Sequence, residues 1–497
     1  MRITRRMMFH ILLPAMLVAL PAPSFAQAPV AADLVVIEGQ AAGGDFIDVI
    51  NSPFCNGNGR VGFTGSLASG DRFVWFDSGV SFLASSALPL VLTGGESTMG
   101  VSNAGGFIYS PAADGQDAVY TNNGLLLAEL MPAPGLPGLF SSFNSRPTME
   151  PDGTCHWVGG FTDVAGGSTQ GRVLYESTNE GLGTPNPILA SGMMVGGFTI
   201  GASGVDFDYD FSDTSTHWIT VIDAASGERF VVVDGAVGPF EGDPTGGGDN
   251  WGAFDIVSIN DSGTFVFSGD TDGVAATDEF IAVDGVIALR EGDIVDGVTL
   301  TGSVNALSVD NTGLVAHIWD LGTPEALFVG SASDLLGTTM LLLQTGDLID
   351  VDGNGVGDWR VTDFNASAVI GPGLDLRGSG DLYVEVDLED PVTLGAFEAI
   401  IRLDVTGGPL TTEFIRGYCN ADGGFDISDA IFLLSVLFTG GASPTCDASC
   451  DMNVDGALDI ADAVSMLTSL FVGGSVQPPF PDCGESPTED CGSFTCP

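Results

Sequence analysis

The sequence predicts a mainly β protein, a repeat-built β-propeller with seven blades, followed by a small α-helical module at the C-terminus. Three observations carry this expectation. From Ala28 to about Val405, short Val, Ile and Phe runs are punctuated by Gly, Asn and Asp with little helical periodicity, the mark of short strands and tight turns. One phrase within that stretch returns seven times. Beyond it the pattern becomes helical, and six of the eight cysteines follow Glu413.

Residues 1–26 combine a basic start (Arg2, Arg5, Arg6), an apolar run from Ile11 to Leu20, and Ser24-Phe25-Ala26 before Gln27, the layout of a secretory signal peptide. The run is short and broken by Pro14, whereas a membrane helix needs roughly 20 apolar residues. No later segment reaches that length, so the expected product is secreted or held at the cell surface without a membrane span.

Residues 27–405 form the expected propeller. Its recurring phrase is Asp or Asn, then Gly, then an alternating strand: Asn58–Phe63, Asn103–Tyr109, Asp152–Trp157, Asp213–Ile219, Asp261–Phe267, Asn311–His317 and Gly378–Val384, about 46 to 67 residues apart. A period near 50 with about four strands suits a propeller blade. A single four-stranded sheet cannot bury both faces, but sheets packed radially can. A β-solenoid or a pair of sandwiches is the competing architecture, and the irregular repeat length disfavours the solenoid. A second phrase, a strand running into a hairpin turn, lies between: Phe76–Gly79, Tyr120–Gly124, Val233–Gly235 and Val283–Gly285. Two of these lead to Glu-Gly-Asp, at Glu241–Asp243 and Glu291–Asp293.

No catalytic residue can be named in this domain. Asp152–Trp157 and Ser258–Phe265 are similar in composition to the turn motif of sialidase-type propellers, but their spacing differs. The arginines that such chemistry needs (Arg60, Arg72, Arg146, Arg172, Arg229, Arg290, Arg360) are spread singly among the repeats. His156, His217 and His317 each precede a Trp by one or two residues, which suggests one packing role used three times. Asp350, Asp352, Asn354 and Asp358 stand at positions 1, 3, 5 and 9 of an acidic loop, a possible further calcium site; position 12 is Val361, so closure would fall to Asp363 or backbone oxygens.

After a linker at 406–413, residues 414–497 hold the strongest chemical signal. Asp451, Asn453, Asp455, Asp459 and Asp462 occupy positions 1, 3, 5, 9 and 12 of a calcium loop, with Gly456 at the turn. Calcium takes six to eight hard oxygens from a loop able to wrap it, which is what alternating carboxylates and an amide provide. A second copy 33 residues earlier keeps Asn420, Asp422, Asp426 and Asp429 but has Tyr418 at position 1, so it should bind more weakly. One amphipathic helix follows each loop: Ile427, Ile431, Leu434 and Phe438 in the first, Ile460, Val464, Leu467 and Phe471 in the second, with Gly-Gly after each.

This duplicated loop-helix pattern, with Asp at position 12, resembles the dockerin type I family over about the last sixth of the chain. The resemblance implies calcium ligation and a role in clipping an exported protein onto a cohesin-like or cell-surface partner. The positions where cohesin binders carry Ser or Thr hold Ile427-Ser428 and Ile460-Ala461 here. Related loops in such a two-fold module lie near each other, which would bring Cys419 and Cys450 within disulfide reach; Cys446, Cys483, Cys491 and Cys496 are the open alternatives. Eight cysteines in an oxidising compartment favour disulfides generally, Cys55 and Cys155 included.

The chain carries 65 acids against 13 basic residues, all Arg, for a net charge of −52. That field repels nucleic acid and anionic surfaces and attracts calcium. The expectation is therefore an exported calcium-binding scaffold or surface-binding protein. The alternative is a secreted polysaccharide-active enzyme, a glycoside hydrolase or lyase acting on carbohydrate and displayed through the terminal module.

Overall fold

The computed structural model describes residues 29–480 and 484–485, apart from 87–91, 95–98, 114–115, 143–146, 164–169, 323, 366–372, 378–379, 406–412, 421–423, 440–443, 445–446, 455–457, 475 and 478. The signal-peptide expectation, most of the linker, Asp422, Asp455, Arg146 and four of the cysteines lie outside the described residues.

The chain is mainly β and adopts a propeller arrangement with few helices. Among the described residues there are seven sheets of four or more strands. Six come from contiguous stretches, at residues 41–83, 92–128, 139–190, 194–240, 257–290 and 303–344. The seventh joins the two ends of the domain: Asp33–Ile37 pairs antiparallel with Ala396–Asp404, next to Asp381–Glu389 and Leu374–Arg377. Val30–Ala31 adds a parallel pairing to Leu348–Asp350.

Strand side chains alternate between two faces, and here both faces are buried. Leu382, Val384, Val386 and Leu388 pack toward the sixth sheet with Ile318 and Leu327, whereas Tyr383 packs toward the first with Phe63 and Trp75. Similar apolar clusters fill every other junction, such as Val266 and Ile281 against Trp319 and Phe328 between the fifth and sixth sheets. His156 and His317 belong to this packing, as the sequence suggested. Both are buried; His156 stacks on Phe211 and His317 on Phe328, and burial pushes each imidazole down to about 3. His217 differs: it is partly exposed, with Nδ1 2.8 Å from Asp234 Oδ2. Cys55 and Cys155 are buried unpaired thiols, which corrects the expectation of a disulfide for them.

Two connections repeat around the ring. A hairpin precedes most sheets and is closed by a backbone bond: Gly39 to Ile47, Leu130 to Phe140, Gly192 to Ile200, Gly242 to Trp251, Gly292 to Leu300 and Gly346 to Val361, each donor N–H reaching the partner carbonyl at 2.7–2.9 Å. The Glu-Gly-Asp repeats are two of these hairpins, and the acidic loop at 350–358 is an insertion into the last. The second connection is the Asp/Asn-x-Gly turn after the innermost strand. Asn260 Oδ1 accepts the N–H of Ser262 and of Thr264, and its Nδ2 donates to Asp310 O of the next sheet at 2.8 Å. Asn56 does the same toward Ser102 O at 3.0 Å.

Inner strands approach so closely that one residue type is dictated by space. A Cβ on Gly100 would lie 1.9 Å from Met149 N of the third sheet, which only a backbone shift could relieve. Gly100→Ala should lower stability by about 1–3 kcal/mol, the usual cost of overpacking, read as a lower midpoint in thermal unfolding. Gly79→Ala, where nothing lies within 4 Å, serves as the neutral control.

In the terminal region, helices Ile427–Thr439 and Ile460–Phe471 pack on each other around Ala430, Leu433, Met452, Ala463 and Met466. The expected Cys419–Cys450 disulfide is present. Arg416, buried beneath, donates to the carbonyls of Ala448 and Asp451.

Candidate functional site

Three clusters of chemically capable residues deserve comparison: the axis of the ring, the acidic loop, and the two terminal loops. At the axis stands Arg377, at the turn position that Asn56, Asn260 and Asp310 hold in other sheets. Its Nη1 lies 2.9 Å from both Glu150 Oε2 and Asp213 Oδ1, its Nη2 3.3 Å from Asp210 Oδ1, and its Nε 3.5 Å from Asp375 Oδ1. Asp375 also accepts the Cys55 N–H at 2.7 Å, and Asp210 accepts from Ser258 Oγ and Ile259 N at 2.9 Å. One guanidinium thus ties the third, fourth and seventh sheets across the axis.

Four carboxylates around one cation are more negative charge than the interior can hold. Burial outweighs the pull of Arg377 and pushes Glu150 up to about 8, and Asp210 and Asp375 up to about 6. The cavity beside them, between Phe54, Tyr209, Ser258 and Ser308, measures about 80 Å³. Ligand pockets usually run from about 300 to 1,000 Å³, so a sugar ring does not fit. The axis is a clasp. Sequence reasoning missed it because Arg377 and Glu150 stand just outside the repeated phrase; the departure of those two positions from the Asn, Ser or Asp of other repeats is the signal that could have found them.

In the acidic loop, carboxylate oxygens of Asp350, Asp352 and Asp358 all lie within 4.8 Å of one another. Asp350 is buried and accepts from Gly355 N at 2.7 Å and Gly353 N at 2.8 Å, and these backbone donors hold its carboxyl below the usual range. Asn354 is bent onto its own turn, accepting from Val356 N. Val361 points into the core between the sixth and seventh sheets, and Asp363 is hydrogen-bonded to Glu325, so neither closes a twelve-residue cage.

The terminal loops are held closed by their last acids. Asp429, fully buried, accepts from Asn420 N at 3.1 Å and Asp426 N at 2.9 Å; Asp462, equally buried, accepts from Met452 N, Asn453 N and Asp459 N at 2.9–3.2 Å. Burial raises Asp462, while the Ser428 hydroxyl and N–H hold Asp426 low. Asp459 caps its helix by accepting from Ala461 N. Asp451 is buried beside these groups. Among the described residues the acidic loop is where three carboxylates come within 4.8 Å of one another; in the terminal loops the last acid instead draws the start of the loop and position 9 together through backbone donors. The terminal loops' donor sets of carboxylates and an amide suit a hard cation.

No protein-family model matches the chain, and no curated protein does. Solved structures share a general likeness: the WD40 β-propeller domain of Doa1 (11% identity, 74% of this chain and 96% of that one, TM-score 0.37), a puromycin hydrolase (13%, 78% and 53%, 0.39) and the Pyrococcus horikoshii acylaminoacyl peptidase (10%, 72% and 52%, 0.38). At that similarity they say nothing of activity. No helix among the described residues is long and apolar enough to cross a membrane.

The buried acids set the pH response. Glu150, Glu279 (about 9) and Glu385 (about 8), like Asp210 and Asp375, hold protons in the folded chain more tightly than the ~4 of an unfolded carboxyl. The stability they contribute is complete below that value and is lost as pH rises through about 6 to 9. With chelator present, the unfolding midpoint should be higher at pH 5 than at pH 8.5. Arg377→Met, which leaves buried carboxylates uncompensated, should cost about 3–5 kcal/mol near neutrality and less at pH 5. A cost independent of pH would contradict the clasp.

Proposed function

We propose that this protein is an exported calcium-binding scaffold or surface-binding protein, a seven-bladed propeller carried by a dockerin-like attachment module. The ring count rests on the apolar core at each of seven sheet junctions, including the composite sheet that unites the chain ends. The blocked axis favours the scaffold over a polysaccharide-active enzyme working through the channel.

The observation that carries the attachment role is the exposed face of the two helices. Of the two periodic apolar patterns, Leu434 and Leu467 pack against the module's core, whereas Ile427, Ile431 and Phe438, with their counterparts 33 residues on, Ile460, Val464 and Phe471, do not. Instead the small residues Ala430 and Ala463 meet at the helix contact, and those six remain 49–69% exposed. Two matching apolar stripes without a basic residue form a surface that water disfavours, and a repeated surface offers a partner two equivalent orientations. The occupant we assign is the apolar face of a cohesin-like receptor domain.

Calcium is the cofactor of this reading, held by Asp451, Asn453, Asp455, Asp459 and Asp462, and more weakly by Asn420, Asp422, Asp426 and Asp429. Asp350, Asp352 and Asp358 offer a further site, with Asn354 already committed to its turn. The cation would supply the positive charge that each ring of acids lacks and so order the module.

Calorimetry should resolve two unequal binding steps in the terminal module. Asp451→Ala should remove the tighter one and Tyr418→Asp should strengthen the weaker; equal affinities in the unmodified protein would argue against this assignment. Excess chelator should lower the helical far-ultraviolet signal of the full chain while its β signal persists. For attachment, Phe438→Ser or Phe471→Ser alone should leave capture by a cohesin domain largely intact, and the pair together should reduce it at least tenfold. Unchanged capture by the double variant would remove the apolar face from the mechanism.

A further inference from the structure

Three sheets present the same local arrangement on the turn face of the ring. A side chain from the turn between the third and fourth strands accepts the N–H that opens the second strand: Asn122 Oδ1 from Phe107 at 3.2 Å, Asp234 Oδ1 from Trp218 at 2.9 Å, Asp284 Oδ1 from Phe265 at 3.0 Å. In two of them the second polar atom of that side chain meets a protein group filling the neighbouring space. Asn122 Nδ2 donates to Glu180 Oε2 at 3.1 Å, and Asp234 Oδ2 lies 2.8 Å from His217 Nδ1. Both fillers sit tight. A Cβ on Gly106 would be 2.3 Å from the Glu180 carboxyl carbon, and one on Gly263 would be 3.4 Å from the His217 ring.

Between the fifth and sixth sheets the corresponding space is open. A Cβ on Gly313 would meet nothing within 4 Å, and a cleft of about 350 Å³ lies there, lined by Ser262, Thr264, Asp284, Thr312, Ser331 and Ser333. This volume is at the lower end of the range of about 300–1,000 Å³ for small-molecule sites. The hydrogen bonds already made around the cleft point to the kind of molecule it suits. Ser262 Oγ and Thr312 Oγ1 give their hydrogens to Asn260 Oδ1 and Asp310 Oδ1, both at 2.7 Å, so these hydroxyls keep acceptor lone pairs, one of Ser262's being met by the Thr264 hydroxyl at 3.3 Å. Asp284 keeps the acceptor capacity of its second oxygen. The Ser331 and Ser333 hydroxyls, 2.8 Å apart, can offer one donor between them.

A small cleft rich in acceptors, with a single carboxylate, calls for adjacent O–H donors and no negative charge. We infer that it binds the terminal ring of a neutral saccharide, with Asp284 and the Ser262 and Thr312 hydroxyls accepting from vicinal hydroxyl groups. A calcium ion would find too few anionic oxygens here, and an acidic sugar would be repelled by Asp284 and by the overall charge. The inference is independent of the attachment role, because the cleft belongs to the ring alone.

The test is retention of the full chain on an array of neutral gluco-, manno-, galacto- and xylo-oligosaccharides printed beside uronate-containing and sulfated glycans, with calcium present. At least one neutral class should be retained. Asp284→Asn keeps the bond to Phe265 and suits the left-handed backbone there (φ 49°), while Ser333→Trp fills the cleft from an exposed position. Each should weaken retention at least tenfold with an unchanged unfolding midpoint, and the Phe438→Ser, Phe471→Ser double variant should bind as the parent does. Retention of acidic glycans only, of none, or of neutral glycans equally by all variants overturns the proposal.

Discussion

A four-stranded sheet with apolar side chains on both faces is unstable by itself, and the ring follows from that constraint. Each sheet finds its missing cover in the next, so no junction is dispensable and the two ends of the domain must meet. They do so in the seventh sheet, where Asp33–Ile37 completes strands more than 300 residues away in sequence, and Arg402 adds an ion pair to Asp33 at 2.6 Å across that seam. The close approach of the inner strands, marked by Gly100, is the geometric consequence of packing sheets around an axis.

Packing alone leaves polar backbone at the turns near that axis, and the residue just before the repeated Asp/Asn-x-Gly phrase answers it. One side chain caps its own turn and passes a second hydrogen bond to the next sheet, as Asn56 and Asn260 do. Where the ring departs from this pattern, at Glu150 and Arg377, the side chains reach across the axis instead. The departure exchanges local capping for a charged clasp in which burial raises Glu150, Asp210 and Asp375. A protein with so large an acidic excess places one of its few arginines where the unpaired negative charge would otherwise be most costly.

The terminal module obeys a different economy. It is too small to hold a sizeable core, and its apolar interior is limited to a few residues around two helices and a disulfide. Small residues at the helix contact let the helices pack closely, and Ile427, Ile431 and Phe438 with their three counterparts are left outside. Asp429 and Asp462 close the loops by accepting the N–H groups of Asn420, Asp426, Met452, Asn453 and Asp459.

Much of this was legible in the sequence because it depends on short-range regularity. Strand alternation, turn residues and the repeat period specify many short sheets, and the one-dimensional spacing of Asp, Asn and Gly marks the terminal loops and their helices. The Cys419–Cys450 pairing could be anticipated from the duplication. What only the tertiary structure decided depends on which distant segments meet. The chain-closing sheet, the convergence of Arg377 with Glu150, Asp210, Asp213 and Asp375, and the unfilled junction beside Asp284 each join residues with no fixed sequence separation. The same holds for the helix faces: periodicity identifies an apolar stripe, but whether Ile431 and Phe438 turn inward depends on the neighbour available to cover them, and here Ala430 and Ala463 permit a closer contact on the other side.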